Sequence, residues 1–127
     1  MLLGNKIKSL RDEQGILQRQ VAAYLEIDTP MFSKIERGDR RAKRSQVIQM
    51  ATYFKVDEKE MLTLWLADKV LDALEGEDEL KLTAIETAKD ELMDVYRYLA
   101  ANNSSSDINN ARLISYIQWE LYGIIYA

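Results

Sequence analysis

Apolar residues recur at three- and four-residue steps along almost the whole chain, and sparse, sharp breaks separate the runs. Leu3, Ile7 and Leu10 form a stripe that ends at Gly15, the pattern of an amphipathic helix with a glycine stop. Gln18 to Leu25 reads as a second, shorter helix with Val21, Ala22 and Leu25 inward. After the break Glu26-Ile27-Asp28, a third helix starts near Thr29. Asp28 or Thr29 caps it, and Pro30 falls in its first turn, where a missing N–H costs nothing. Phe32 and Ile35 face inward, and Gly38 supplies the stop. A fourth helix is predicted from about Arg44 to Phe54, burying Val47, Ile48 and Ala51. Asp57 caps a fifth, which runs through Met61, Leu62, Leu64, Trp65, Leu66, Val70, Leu71 and Leu74.

The acidic run Glu75 to Glu79 is the one obvious boundary. Beyond it Ile85, Ala88, Leu92, Val95 and Leu99 keep the spacing of a helical seam. Asn102 to Ser106 reads as a loop, Asp107 as a cap, and Ile114, Ile117, Leu121 and Ile124 repeat the seam. No segment reads as a strand. The expectation is an all-α protein: a domain over residues 1–75, then an acidic linker and an antiparallel helical hairpin over 76–127. Five of the seven tyrosines and one of the two tryptophans lie at Tyr96 or later. A two-helix hairpin cannot bury them alone and must pack on the first domain or on another chain. Homodimerisation through Leu92, Val95, Leu99, Ile114, Ile117 and Leu121 is the favoured reading. Packing on the first domain and capture of a different protein are its rivals.

Composition narrows the function classes. Apolar residues make up 47% and charged residues 30% of 127 positions, enough for a packed core and too apolar for general disorder. No apolar run approaches the roughly 18 residues that span a bilayer, and the polar start MLLGNKIKSLRDEQG is no signal peptide. A cytoplasmic setting is expected. Without a cysteine or a histidine, disulfides, thiolate metal sites and the usual general base are all missing. No Gly-rich phosphate loop or nucleophile–base spacing stands out, so no enzyme, metal or cofactor is expected. The acidic run 75–79 reads as a solvated linker, since it lacks a structured ligand pattern.

The net charge of −4 hides an asymmetry. Residues 1–56 carry 11 Lys/Arg against 6 Asp/Glu, whereas residues 57–127 carry 6 against 15. A basic contact surface on an acidic remainder is the pattern of a nucleic-acid binder. The cations concentrate at Arg40, Arg41, Lys43 and Arg44, directly after the helix pair 18–38. Such a pair can lay its second helix in the DNA major groove if three conditions hold. A small residue must sit at the helix crossing, which Ala22 or Ala23 provides. Apolar residues must lock the pair to the rest, as Val21, Leu25, Ile27, Phe32 and Ile35 can. Polar groups must project from the start of the second helix, as Thr29 and Lys34 do.

Over roughly Ile7 to Trp65 the sequence resembles the Cro/cI-like, or xenobiotic-response-element type, helix-turn-helix regulators. The resemblance rests on Leu10-Arg11, Gly15-Ile16-Leu17-Gln18, Val21-Ala22-Ala23-Tyr24-Leu25, Ser33-Lys34-Ile35-Glu36-Arg37-Gly38, and Ala51-Thr52-Tyr53-Phe54 before Val56. It implies a five-helix, lambda-repressor-like DNA-binding domain. It further implies that Gln18 touches a phosphate and that Thr29, Pro30 and Lys34 face base edges, with Ser33 and Met31 nearby. Arg37, Arg40, Arg41, Lys43 and Arg44 would line the adjacent backbone, and Arg11 would pair with Glu36 to brace the recognition helix. Three positions depart from the pattern: Glu26 stands where the turn usually has glycine, Leu17 replaces a threonine, and Lys43 replaces a frequent proline. Pro30 can offer only apolar contact, so hydrogen-bonded base readout falls to Thr29 and Lys34, and DNA shape must supply part of the specificity.

The expected function is a sequence-specific transcriptional regulator, a repressor that binds double-stranded DNA as a dimer on a palindromic operator. The alternative is an antitoxin-like interaction module whose C-terminal half holds a partner protein.

Overall fold

The computed structural model describes residues 1–101, Leu99 by its backbone alone. The expected loop 102–106, the last helix, and with it Ile114, Ile117 and Leu121 lie outside the described residues. Among these the chain is all-helical, in the order α1 (Leu2–Gln14), α2 (Gln18–Tyr24), α3 (Thr29–Arg37), α4 (Arg44–Phe54), α5 (Glu58–Ala73) and α6 (Lys81–Ala101). By internal packing the chain divides into two units, Met1–Glu75 and Gly76–Ala127.

Local chemistry explains each boundary in the first unit. Gly15 ends α1 in the left-handed region at φ 66°, and Ile16 N–H closes onto the Arg11 carbonyl at 2.9 Å. Leu17, at the N-cap of α2, has no side-chain acceptor; the reciprocal half of a capping box survives, because Gln20 Oε1 accepts from Leu17 N–H at 2.7 Å. Asp28 caps α3 by accepting from Met31 N–H at 2.7 Å, with Pro30 in the first turn. Lys43 repeats the half-box at the start of α4, donating its N–H to Gln46 Oε1 at 2.9 Å. Asp57 accepts from Lys59 N–H at 3.0 Å to open α5.

The core runs through all five helices. Ile7, Val21, Phe32, Val47, Met50, Phe54 and Met61 are fully buried, and Ile48, expected inside, packs against the cluster half-exposed. On α5 the inward stripe is Met61, Leu62, Trp65 and, unexpectedly for a carboxylate, Asp68. Leu66, Val70 and Leu71 lie on its outer face, each about half exposed.

In the second unit, α6 is one unbroken helix of 21 residues. Its described seam residues Ile85, Ala88, Leu92 and Val95 are exposed, whereas Met93 is buried.

Candidate nucleic-acid interface

The pair α2–α3 is joined by a turn that depends on one backbone conformation. Glu26 holds it in the left-handed region at φ 57°, and Ile27 N–H reaches the Ala22 carbonyl at 3.0 Å. The position where the family pattern has glycine is therefore left-handed here too, with a glutamate accepting a strain that glycine would not feel. Ala22, buried to 1%, is the small residue at the crossing; Ala23 faces solvent. With Phe32 and Ile35 locked inward, α3 turns Thr29, Pro30 and Lys34 outward together. Ser33 is half-buried, and Met31 packs against the core rather than projecting from the surface.

Behind α3 stands a largely buried brace. Arg11 Nε and Nη2 donate to the two carboxylate oxygens of Glu36 at 2.7 and 2.6 Å, and Nη1 donates to the Ile16 carbonyl at 3.1 Å. The side chains are only 12% and 7% exposed. The hydrogen bond to Glu36 holds the guanidinium charged and raises its pKa above the usual arginine value, against the opposing effect of burial. Gln18, at the start of α2, donates to Glu36 Oε1 at 3.3 Å, so Glu36 ties three helices together. A further close approach was invisible in the sequence: a Cβ on Gly4 would lie 2.1 Å from the Glu36 backbone oxygen. Only glycine lets α1 pass this near to α3.

The cations divide into paired and unpaired groups. Arg37 donates to Ser33 Oγ at 2.9 Å and to Asp39 Oδ2 at 3.0 Å. Arg41 is ion-paired with Asp72 of α5. Among the described residues the exposed side chains of Lys34, Arg40, Lys43 and Arg44 have no hydrogen-bond or ion-pair partner. The loop between α3 and α4, which carries Arg40, Arg41 and Lys43, is pinned near its middle, where Trp65 Nε1–H donates to the buried Ala42 carbonyl at 2.8 Å. Asp68, 3% exposed, accepts from the N–H groups of Leu2 and Leu3 at 2.9 and 3.0 Å. It caps α1 from 65 residues away, a pairing that no local signal in the sequence could disclose.

Residues 2–64 match the family model of a helix-turn-helix domain. The first five helices carry a helix-turn-helix domain. The match supports a DNA-binding family. No curated protein and no solved structure gives a significant match to the chain. The helix-turn-helix domain contains the brace and every residue expected at the DNA surface, from Gln18 to Arg44. Trp65, Asp68 and Asp72, which fix the cationic loop and the start of α1, fall just beyond the matched segment. Among the described residues no helix is long and apolar enough to cross a membrane.

Proposed function

We propose that the protein is a cytoplasmic, sequence-specific transcriptional regulator of the Cro/cI-like type. It acts as a homodimer that occupies a palindromic operator and represses by blocking access to it. The observation that carries this reading is the joint presentation of Thr29, Pro30 and Lys34 on the outer face of α3, braced from behind by Arg11–Glu36, with Arg40, Lys43 and Arg44 uncompensated at its exit. Thr29 and Lys34 donate to base edges, Lys34 most readily to guanine O6 and N7, and Pro30 offers apolar contact to a thymine methyl. Arg40, Lys43 and Arg44 meet phosphates directly. Arg37 and Arg41 do so by exchanging an exposed carboxylate for a phosphate, an inexpensive exchange since exposed ion pairs contribute about 1 kcal/mol or less. Gln18 reaches a phosphate while remaining beside Glu36. Neither a cofactor nor a chemical step is required.

Selection of bound duplexes from a random pool, followed by a salt titration, tests the proposal. The expected result is a two-fold-symmetric consensus with half-sites about 34 Å apart, bound with a steep salt dependence. Recovery of no consensus overturns it. Lys34→Ala is expected to weaken operator binding and relax the preference at one position per half-site. An unchanged sequence profile removes Lys34 from the readout.

Exposed Leu92 and Val95 on the largely acidic second unit also favour a second reading, in which that unit holds a partner protein in the manner of an antitoxin. A chain that stays monomeric alone and binds stoichiometrically to the product of a neighbouring gene would support this over dimerisation.

A further inference from the structure

An open groove of about 710 Å³ runs along α1 where it passes the start of α2 and the outer side of α3. Asn5 and Lys8 line it from α1, Gln18 from α2, and Ser33 and Arg37 from α3. Two carboxylates border it, and each is already matched to an arginine: Glu36 to Arg11 and Asp39 to Arg37. Lys8 is the remaining charged side chain. It is exposed and has no ion-pair partner among the described residues, although Asp12 lies one helical turn further on. The neighbouring lysine of α1 behaves differently, for Lys6 is tied to Glu60 of α5 at 3.2 Å.

From this charge balance we infer that Lys8 is a further phosphate-contacting residue and that the groove between α1 and α3 carries a stretch of DNA backbone. The inference rests on the DNA-binding reading above and extends its contact surface to a helix outside the motif pair. A backbone held by Gln18 at the start of α2 passes the Lys8 ammonium, with Arg37, paired with Asp39, on the opposite wall. A lysine acts there as a point charge, neutralising a phosphate without setting its orientation. Asn5, one turn earlier, supplies a neutral donor to the same strand. Such a contact adds affinity for every sequence equally and contributes nothing to base discrimination.

The test uses the full chain and its Lys8→Gln variant, with binding to the selected operator and to a random duplex measured across a salt series. Each phosphate neutralised contributes about 0.9 to the slope of log K against log salt. The variant is therefore expected to show a slope shallower by about 0.9, and an affinity lower on the order of eightfold at about 0.1 M salt, on both duplexes. Its thermal unfolding should be unchanged, because the side chain is exposed and unpaired. Lys6→Gln, which removes the same charge from the other side of α1, is expected to leave the slope close to that of the parent. A Lys8→Gln slope equal to the parent's, or a loss matched by Lys6→Gln, overturns the inference while leaving the DNA-binding reading intact. A parent chain that binds neither duplex overturns that reading and the Lys8 contact with it.

Discussion

At the scale of single residues, the domain is held by a few positions where the chemistry is unforgiving. Arg11 and Glu36 are largely buried counter-ions, so removing one strands the other. Arg11→Met is expected to cost about 3–5 kcal/mol. The double variant Arg11→Met/Glu36→Met should lose far less than the sum of the singles, as a double-mutant cycle by chemical denaturation would show. The brace was legible because its two members sit at fixed places in a motif; the extra bond from Gln18 was not, since it depends on where α2 starts relative to α3. Glu26 offers a change of opposite sign. At φ 57° it carries a left-handed strain of about 1–2 kcal/mol, part of which the greater freedom of an unfolded glycine offsets. Glu26→Gly should stabilise by about 0.5–1 kcal/mol, raising the melting temperature by a few degrees. Leu17→Thr should add about 1 kcal/mol by completing the capping box whose other half, Gln20, is already in place.

At the scale of elements, four boundaries followed from local rules because each uses a residue with one strong reason to be there: Gly15, Asp28, Gly38 and Asp57. Lys55 is the exception. It ends α4 in the left-handed region at φ 58°, with Val56 N–H closing onto the Ala51 carbonyl at 3.0 Å, and a lysine gives no warning of this. The packing of α1 was harder still to foresee. Its direction is set at one end by Gly4, where α3 comes too close for any side chain, and by Asp68, which reads in the sequence as one more surface acid of α5. Asp68→Asn keeps the shape but turns one acceptor into a donor facing a first-turn N–H. It should cost about 2–3 kcal/mol, measured by thermal or urea unfolding. Gly4→Ala would press a methyl group onto the Glu36 carbonyl, and the strain is relieved only by moving α1 or α3. The expected result is a loss of both stability, about 1–3 kcal/mol, and operator affinity. A stable Gly4→Ala variant with full affinity would mean that α3 can shift without consequence for binding.

At the scale of the whole molecule, the question is what an acidic second unit does for a DNA-binding first one. Residues 1–75 carry 13 Lys/Arg against 12 Asp/Glu, and residues 76–127 carry 4 against 9, so the second unit contributes −5 and repels DNA at long range. Repulsion by itself lowers affinity for all sequences. It favours a regulator only if the same unit also raises the affinity for the correct site, which joining two reading heads does: a second, linked contact multiplies affinity by about 10²–10⁴ without new chemistry. The two effects have opposite signs in a truncated chain. A protein ending at Glu75 retains the complete described core of its unit and should stay folded. If the second unit joins two heads, the truncated form should sediment as a lighter species and lose about two orders of magnitude or more in operator affinity. Its binding to random duplex should strengthen slightly once the −5 is gone. If the second unit serves a different partner, only the second change should appear, and operator and random duplex would gain together. Sedimentation combined with binding to both duplexes therefore separates a dimerising device from an acidic arm with another use, and tells whether the reach of Thr29 and Lys34 is doubled by symmetry.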